Sequence, residues 1–324
     1  MTVDHVEPEP EIKMSQTASL LELLRQRREQ SRDGSRVPVH KRLPGVVRSV
    51  GRNVLVKRHQ RRVEKITAAS RLLGTTRIVR EVPEYRGVFE LDTRSTVAQC
   101  ILFGGFESSF VRLFETVIAP GQDLLDVGAN VGLYTVLGGK LVGQGRVLSV
   151  EPVPSVLSLL RANIAKNGLK NVEVFEGVAT DKAGPCSITS IEGNEEFSSI
   201  GGITHPTAPL QARKSIEIQG ETLDNLVAAR GLQPGVMKVD VEGAEAFAFR
   251  GAKNILEKFR PIIMSELDAR LMTNPGESPE LVRALLTEQG YRIFDIMTGK
   301  DLSDGNPLVD YVGEIVGIPS EKCS

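Results

Sequence analysis

Hydrophobic and polar positions alternate regularly from about residue 124 to the end of the chain. Short apolar or alternating runs predict strands at Leu124–Val127, Arg146–Glu151, Val172–Val178, Val236–Val241, Pro261–Leu267 and Tyr291–Ile296. Helical stretches separate most of them: Leu133–Leu141, Pro154–Asn167, Thr222–Ala229, Ala244–Phe259 and Pro279–Gln289. Strands that alternate with helices of this length predict a parallel sheet covered by helices on both faces. A last run, Tyr311–Ile318, predicts an antiparallel edge strand.

The part of the chain before this regular pattern divides at about residue 74. It predicts a leucine-striped helix, a basic helix, short β-like runs and one more helix: Ser15–Arg32, Val46–Leu73, Thr75–Ile101 and Ser108–Val117. We therefore expect a basic, mainly helical extension over residues 1–74 and a domain over 75–324, whose first part, 75–120, leads into the regular pattern. Residues 181–220 interrupt that pattern, and uninterrupted loops of such length inside a compact domain are usually lids.

Charge divides the chain at the same place. The whole sequence has a formal net charge of −1, but residues 1–74 hold 16 Lys and Arg against 8 Asp and Glu, which leaves 24 against 33 for the remainder. A basic segment of this kind suits nucleic acid, an anionic membrane, or the acidic body of the same protein. No aromatic side chains lie among its basic residues to stack on bases, so we favour the last partner over nucleic acid. The segment could also mediate self-association into a homo-oligomer.

The lengths of the apolar runs and the positions of the cysteines argue against several classes of protein. No apolar run approaches the roughly 18 to 20 residues that span a bilayer, and the acidic opening MTVDHVEPEPEIK is unlike a secretory signal. The three cysteines, Cys100, Cys186 and Cys323, lie far apart and form no C-x-x-C motif. These features predict a cytoplasmic protein without a disulfide framework or a zinc cluster.

A glycine-containing loop carries the strongest sign of function. The segment Asp126-Val127-Gly128-Ala129-Asn130-Val131-Gly132 follows an apolar run and precedes a helix, where small residues let the backbone approach a ligand and free N–H groups can bind it. It has neither the dinucleotide spacing G-x-G-x-x-G nor a Walker sequence. Glu151 ends the next strand, 23 residues after Gly128, where an acid can bind both ribose hydroxyls. Together these features predict a nucleoside site.

Five segments in this order resemble the FkbM family of S-adenosylmethionine-dependent methyltransferases. They are the loop at 126–132, Glu151-Pro152, Asn163-Ile164-x-x-Asn167-Gly168, Thr222-Leu223-Asp224 and Met237–Glu245, and the resemblance covers roughly residues 103 to 294. It implies a class I, Rossmann-like α/β fold with a mostly parallel sheet of seven strands, the last of them reversed. It also implies S-adenosyl-L-methionine as cofactor and methyl transfer, commonly to a hydroxyl oxygen of a sugar or polyketide-like natural product.

The resemblance also places the cofactor on particular residues. It assigns the methionine end and the backbone of the cofactor to the loop residues Asp126, Gly128, Ala129, Asn130 and Gly132. It assigns the ribose to Glu151, which is followed by Pro152, and the adenine to Thr180 or Asp181 after the third strand. Glu107, just before the helix that precedes the loop, could either reach the cofactor or cap that helix.

Acidic and basic residues gather at the end of the fourth predicted strand. Lys238, Asp240 and Glu242 alternate there, so their side chains should share a face near the ligand edge of the sheet. Asp240 and Glu242 are our candidates for a catalytic base or an anchor of the acceptor hydroxyl. Glu266, at the end of the next strand, could share this role or help to bind Mg²⁺, which we do not favour, and His205 in the insertion is a further candidate base. The alternative is a charge cluster that only stabilises the sheet.

Three functions remain open on the sequence alone. The first is an O-methyltransferase that acts on a small-molecule acceptor. The second is a non-catalytic protein that keeps the nucleoside site and binds a partner through the basic extension. The third is a nicotinamide-dependent oxidoreductase, which is disfavoured because both G-x-G-x-x-G and a Tyr-x-x-x-Lys pair are missing.

Overall fold

The computed structural model of the protein describes residues 12–32, 65, 72, 74–103, 107–191, 198–200, 213–272, 274, 277–305 and 307–323. The helices are α1 Ile12–Arg32, α2 Thr96–Phe103, α3 Ser108–Val117, α4 Leu133–Leu141, α5 Pro154–Lys166, α6 Leu223–Arg230, α7 Glu245–Arg250, α8 Lys253–Lys258 and α9 Pro279–Glu288. Within these ranges, none of the helices has the length and apolar composition needed to cross a membrane.

The strands within the described residues form three sheets. They are β1 Arg77–Val82, β2 Gly87–Asp92, β3 Asp123–Val127, β4 Val147–Glu151, β5 Val172–Glu176, β6 Val178–Ala179, β7 Gly184–Ile191, β8 Ser199–Ile200, β9 Arg213–Glu221, β10 Pro234–Val239, β11 Ile262–Asp268, β12 Tyr291–Asp295 and β13 Val312–Pro319. The largest sheet has seven strands in the order β5-β4-β3-β10-β11-β13-β12. Its strands are parallel except for β13, which runs antiparallel to both of its neighbours. The predicted class I methyltransferase fold is confirmed.

The last strand lies inside the sheet, so its predicted edge position is wrong. β13 pairs with β11 on one side and with β12 on the other, and β12 forms the edge. Ile315, Val316 and Ile318 are fully buried; Ile315 points to one face of the sheet, and Val316 and Ile318 point to the other. A strand that is apolar on both faces is stable only where both faces are covered, which is the interior of the sheet.

Helices cover both faces of the large sheet, as predicted. Neighbouring residues on a central strand point to opposite faces, and the adjacent, fully buried Leu124 and Leu125 belong to two different apolar clusters. One cluster contains side chains from α1 to α5, and the other contains side chains from α6 to α9. The β3–α4 turn and the ends of the parallel strands lie between these two layers.

The segment before β3 contains a helix that the sequence analysis missed. α2 occupies Thr96–Phe103, where short β-like runs were predicted. Its buried residues Val97, Ala98 and Ile101 follow helical spacing, but a window this short and this apolar does not distinguish a helix from a strand.

Two asparagines attach the β1–β2 hairpin to α5. The Asn163 side chain accepts a hydrogen bond from the N–H of Glu90 (2.7 Å) and donates one to its carbonyl (3.1 Å). The Asn167 side chain does the same with Val88, at 3.1 and 2.8 Å. Residues four apart on a helix share a face, and residues two apart on a strand present their backbone groups on the same edge. The Asn-x-x-x-Asn spacing therefore fits an edge strand, and its role is structural.

The predicted insertion contains strands rather than one long loop. β7 and β9 form an antiparallel pair that β8 and β6 extend into a four-stranded sheet. Residues 192–197 and 201–212 lie outside the described residues. The predicted strand over 172–178 is divided accordingly, because β5 belongs to the large sheet and β6 to this smaller one.

The single helix predicted over residues 244–259 is two helices that separate at Gly251. The carbonyl of Gly251 accepts a hydrogen bond from the N–H of Asp224 (2.9 Å). The Asp224 carboxylate in turn accepts hydrogen bonds from the N–H groups of Asn254 and Ile255, both at 3.0 Å. It thus caps the start of α8, which explains this part of the Thr-Leu-Asp motif structurally.

α1 packs on the domain although it lies in the predicted extension. Leu20 and Leu24 are 0% and 2% exposed and belong to the apolar cluster on the first face of the sheet. The Gln16 side chain donates to the carbonyl of Ile118 (2.7 Å), and a Cβ added to Gly299 would overlap the carbonyl oxygen of Leu24. The predicted boundary near residue 74 therefore does not separate α1 from the core. The second predicted basic helix lies almost entirely outside the described residues.

Candidate functional site

A cavity of about 310 Å³ lies at the carboxyl ends of the central parallel strands. Segments that follow β3, β4, β5 and β10 line it: Gly128–Val131, Glu151–Val153, Gly177–Ala179 and Asp240–Glu242. Thr96 and Val97 of α2 also line it, as do Ile188, Ser198 and Ile200 of the inserted sheet. This edge is where open α/β sheets bind their ligands.

The glycine loop is joined to Glu151 by hydrogen bonds. Glu151 is 5% exposed and lines the cavity, and its carboxylate accepts hydrogen bonds from the N–H groups of Asn130 (2.8 Å) and Val153 (2.9 Å). Burial raises the pKa of Glu151 to about 7, although these two hydrogen bonds favour the carboxylate. Gly128 has a φ of 79°, and a Cβ on it would overlap the carbonyl oxygen of Asp240. Glycine is thus required where the loop passes the end of β10.

Asp126 lies beneath the loop and does not line the cavity, contrary to its predicted contact with the cofactor. It is fully buried, accepts a hydrogen bond from the Thr135 hydroxyl (2.6 Å) and lies 3.7 Å from Lys238 Nζ. Burial raises the pKa of Asp126, against the opposing effect of the Lys238 charge. Its role in the structure is to balance a buried cation.

Lys238 links this buried acid to the cavity. Its Nζ lies 3.2 Å from Asp240 Oδ2 and donates a hydrogen bond to the carbonyl of Gly128 (3.1 Å). Burial lowers the pKa of Lys238, but the carboxylates of Asp240 and Asp126 outweigh this effect, and the pKa is raised overall. The ammonium group stays charged and orients Asp240 at the cavity wall.

Glu107 reaches the cavity and does not cap α3 with its side chain. It lines the cavity and occupies the N-cap position, but its carboxylate accepts a hydrogen bond from the Tyr134 hydroxyl (2.7 Å) and makes no capping bond. Burial, together with the nearby charge of Asp240, raises the pKa of Glu107 to about 7. The structure thus favours the first of the two alternatives for this residue.

Glu266 and Glu314 form an acidic pair that the sequence analysis only half identified. Glu266 lines the cavity, and Glu314 stands directly opposite it in the pairing of β11 with β13. Burial and the charges of Asp240 and Glu107 raise the pKa of Glu266 to about 8. Burial and the same two neighbours raise the pKa of Glu314 to about 7. Nothing in the local sequence of Glu314 indicates this pairing, because it depends on which strand lies next to β11.

Besides Asp126, three residues predicted to bind the cofactor lie outside the cavity lining. Asp181 pairs with the Arg250 guanidinium (3.2 Å), and the Thr180 hydroxyl donates to Asp181 (3.4 Å). The chain after β5 instead contributes residues 177–179 to the cavity, and an adenine contact of Thr180 or Asp181 stays a prediction. Gly132 forms the N-cap of α4 with a φ of 89° and packs under Leu160, without lining the cavity.

The other predicted site residues either line the cavity or lie outside the described residues. Ala129, Asn130, Pro152 and Glu242 line the cavity. His205 lies outside the described residues. Within the described part of the chain, no three His, Cys, Asp or Glu side chains come together as a metal site would require.

Two residues that the sequence analysis did not select help to shape the site. Tyr134 lines the cavity and contacts Lys238, whose Nζ lies 5.3 Å from the centre of its ring. Glu245 is 2% exposed and accepts hydrogen bonds from the N–H groups of Val241 (3.1 Å) and Gly243 (3.3 Å), which shapes the turn after β10. The position of Glu245 at the start of α7 indicates such a role in the sequence, since an acid there stabilises the free N–H groups of a helix N-terminus.

The buried carboxyl groups predict an unusual dependence of stability on pH. Those with a raised pKa in or beside the cavity are Glu107, Glu151, Glu245, Glu266 and Glu314. The unfolded chain releases these protons near pH 4.5, whereas the folded chain keeps them to about pH 7 to 8. The stability they contribute is fully present below about pH 4.5 and is lost as the pH rises through about 7 to 8.

We therefore expect the free energy of unfolding of the ligand-free protein to fall between about pH 5.5 and 8.5, measured by denaturant titration. Glu266→Gln should flatten this slope, since the amide does not titrate. A wild-type stability that rises over this interval would contradict the burial of these groups.

Sequence comparison identifies the family. The model described as the methyltransferase FkbM domain matches residues 126–293, which extend from the acid beneath the glycine loop to β12 and make up more than half of the chain. The chain belongs to the FkbM methyltransferase family. The family resemblance predicted from the five segments is confirmed. A second model, for protein-L-isoaspartate (D-aspartate) O-methyltransferases, matches residues 49–181 and overlaps the first at the glycine loop.

Two curated proteins similar to this FkbM-family protein match shorter stretches than the family model does. A probable cobalt-precorrin-6B C(15)-methyltransferase (decarboxylating) of Sulfolobus acidocaldarius is 37% identical over 83 residues, 25% of this chain and 41% of that protein. A protein-L-isoaspartate O-methyltransferase of Aeropyrum pernix is 33% identical over 124 residues, 36% of this chain and 47% of that protein. The matched regions thus span less than half the length of these relatives.

Solved structures with a similar fold include the methyltransferase FkbM of Methylobacillus flagellatus. It has 16% sequence identity and a TM-score of 0.39, covering 68% of this chain and 54% of that chain. The family assignment rests on the sequence match.

Proposed function

We propose that this FkbM-family protein transfers the methyl group of S-adenosyl-L-methionine to a hydroxyl oxygen of a small molecule, such as a sugar or a polyketide. The observation that carries the proposal is the arrangement of the cavity. In the order of the sheet, β4 with Glu151 lies on one side of the glycine loop, and β10 and β11 with Asp240 and Glu266 lie on the other. A cofactor and an acceptor can therefore meet over the central strands.

The lining residues fit the parts of this cofactor. The Glu151 carboxylate can accept hydrogen bonds from ribose hydroxyls in addition to its two N–H groups, because each of its oxygens has two acceptor positions. Val150, Val153 and Val178 provide apolar wall for an adenine ring. The carboxylates around Lys238 outnumber it, which suits a ligand that carries an ammonium and a sulfonium group.

The protein's own part in the reaction is alignment and the handling of one proton. The cofactor supplies an activated methyl group when bound. Asp240, held by Lys238, orients the acceptor hydroxyl, and Glu266 takes its proton as the oxygen is methylated. Glu242 lies on the same wall of the cavity and contributes to the acceptor side. His205 remains a predicted base.

The inserted sheet covers the cavity in this proposal. Ile188 of β7 and Ile200 of β8 line the cavity together with Ser198, which supports a role of residues 181–220 as a lid. The Asn274 side chain donates to the carbonyl of Ile200 (2.8 Å) and thus links this cover to the segment after β11. Exclusion of water at this place would protect the reactive cofactor.

Methylation of an oxygen, rather than of another atom, is a separate part of the proposal. The two relatives carry names that specify methylation of a carbon in one case and of an oxygen in the other. The carboxylates at the acceptor side favour a hydroxyl, because a hydroxyl must lose a proton that they can take.

A cytoplasmic location and self-association through the N-terminal segment remain predictions of the sequence.

The proposal is tested in two steps. Calorimetry with S-adenosyl-L-methionine, S-adenosylhomocysteine and NAD should show binding of the first two only. A screen with labelled methyl groups over sugars, polyketides and lipids should then yield a product whose label is bound to oxygen. Binding without transfer to any acceptor would favour the non-catalytic alternative, and preferential binding of NAD would contradict the proposal.

Glu151→Ala should weaken the binding of S-adenosyl-L-methionine by about 1–3 kcal/mol, because two ribose hydroxyls lose a charged acceptor. The matched control is Glu176→Ala, since Glu176 is the register partner of Glu151 on β5 and is exposed. Calorimetry should show no change for the control. Equal affinities of wild type and Glu151→Ala would show that the ribose does not bind there.

A further inference from the structure

α1 brings a buried cation to the acidic end of the cavity, although it lies outside the part of the chain that the family model matches. The Arg27 side chain is 4% exposed. Its guanidinium donates to the carbonyl of Ile296, directly after β12, and lies 3.5 Å from the carbonyl of Ser109 in the first turn of α3. Thr17, Leu20 and Leu24 are buried on the same side of α1, so this side of the helix packs against the domain.

From Ile296 the contacts continue towards the cavity. The N–H of Ile296 donates to the carbonyl of Glu314 (2.9 Å), and Glu314 stands opposite Glu266 in the β11–β13 pairing. Side chains that are directly opposite in an antiparallel pair project to the same face, with Cβ atoms about 4.5–5.5 Å apart. Like charges on directly opposite side chains repel each other, so the pair resists carrying two charges.

The charged groups that face Glu314 come from five elements. They are Glu266 of β11, Glu107 before α3, Asp240 after β10, Asp295 of β12 and Arg27 of α1. Asp295 is occupied with local hydrogen bonds from the Tyr311 hydroxyl (2.6 Å) and the Thr298 hydroxyl (2.7 Å). The Arg27 charge lowers the pKa of Glu314, which burial and the neighbouring acids raise. Arg27 is therefore a counter-charge of Glu314, the member of the pair on β13.

We infer that α1 is part of the active site and that Arg27 is a positioning residue, which acts through Glu314 to set the charge of Glu266 in the cavity. The role of Glu266 rests on the proposed function, but the coupling of the three residues is a property of this chain. With Arg27 in place, the acidic pair carries its negative charge at a lower pH. Without it, the pair keeps its protons to a higher pH.

The test compares the affinities of S-adenosyl-L-methionine, a sulfonium cation, and S-adenosylhomocysteine, its neutral counterpart, by calorimetry between about pH 6 and 9. For wild type, the preference for the cation should rise with pH as the acidic pair ionises. Arg27→Gln should move the midpoint of this rise upward by roughly 1 pH unit, at the low end of the shifts that one nearby charge causes. Glu314→Gln should move it downward, because a like charge is removed from beside Glu266.

Two further variants separate this role from a merely structural one. Arg25→Gln, on the exposed side of α1, should leave the midpoint unchanged, since Arg25 pairs with Glu22 in solvent. Arg27→Lys keeps the charge and should keep the midpoint, even if its melting temperature falls. Shifts of Arg27→Gln and Glu314→Gln in the same direction, or a loss of stability without any shift, would overturn the inference.

The inference and the proposed function fail in different ways. If wild type binds neither cofactor form, the proposed function is wrong. The coupling is then measured through the pH dependence of the free energy of unfolding of the same variants. In Arg27→Gln the loss of stability with rising pH should continue to a higher pH than in wild type. In Glu314→Gln it should end at a lower pH. Identical slopes for both variants would overturn the coupling as well.

Discussion

Replacing Lys238 with methionine should lower the free energy of unfolding by about 3–5 kcal/mol, because a buried acid then loses its cation. Lys238 is 3% exposed, and its Nζ lies 3.7 Å from Asp126 and 3.2 Å from Asp240. Asp126 is fully buried, and its Oδ1 has no hydrogen bond within the described part of the chain. Methionine fills much of the lysine volume, so the loss of charge dominates over the loss of packing. Denaturant titration near pH 7.5 measures the effect.

Two comparisons confine this effect to the buried pair. The double variant Lys238→Met with Asp126→Asn should recover much of the stability, since no unpaired charge remains. Lys170→Met, on the exposed surface before β5, should change the free energy of unfolding little. The deficit of the single variant should also grow with pH, because Asp126 escapes the penalty at low pH by taking a proton. A double variant no more stable than Lys238→Met would contradict the pairing.

Replacing Asp240 with asparagine should reduce turnover by about 10²–10⁴-fold while the protein stays folded. Asp240 lines the cavity and is partly exposed, so removal of its charge costs little folding energy. The same change removes the carboxylate that Lys238 orients towards the acceptor. The measurement is the rate of transfer of a labelled methyl group to an acceptor identified in the screen.

Asp181→Asn is the matched control for this variant. Asp181 follows β6, whose residues line the cavity, but it pairs with Arg250 outside the cavity, so the turnover of Asp181→Asn should stay near that of wild type. If Asp240→Asn keeps wild-type turnover, Asp240 has no part in the mechanism. If it loses as much stability as Lys238→Met, the cluster is structural and the alternative from the sequence analysis is correct.

The large sheet could be predicted from the sequence because its pattern is local. Strands covered on both faces are continuous apolar runs, and the helices between them show their own period, so each element is visible within a short window. The same reasoning failed for α2, whose window is short and almost wholly apolar. It also failed for the position of β13, because an apolar run reveals burial on two faces but does not specify which strands flank it.

Residues at or directly after the carboxyl end of a strand could be placed at the cavity from the sequence. Gly128, Glu151 and Asp240 line the cavity because the carboxyl ends of parallel strands meet at one edge. The family resemblance assigned Asp126 and Asp181 to the cofactor, but Asp126 lies beside Lys238 and Asp181 pairs with Arg250, and neither lines the cavity. Side-chain direction depends on the packing of neighbouring elements, which a motif does not specify.

The family, the alternating α/β pattern and the glycine loop with its acid could be predicted from the amino-acid sequence, since each depends on residues that are close together in the chain. The folded structure was needed to show that α1 packs on the domain, that Arg27 reaches Ile296, and that Glu314 faces Glu266. These contacts join segments far apart in the chain, and they depend on the order of the strands and on the place where α1 packs. The physical reason is that burial patterns specify which side of an element is covered, whereas strand order and helix docking specify what covers it.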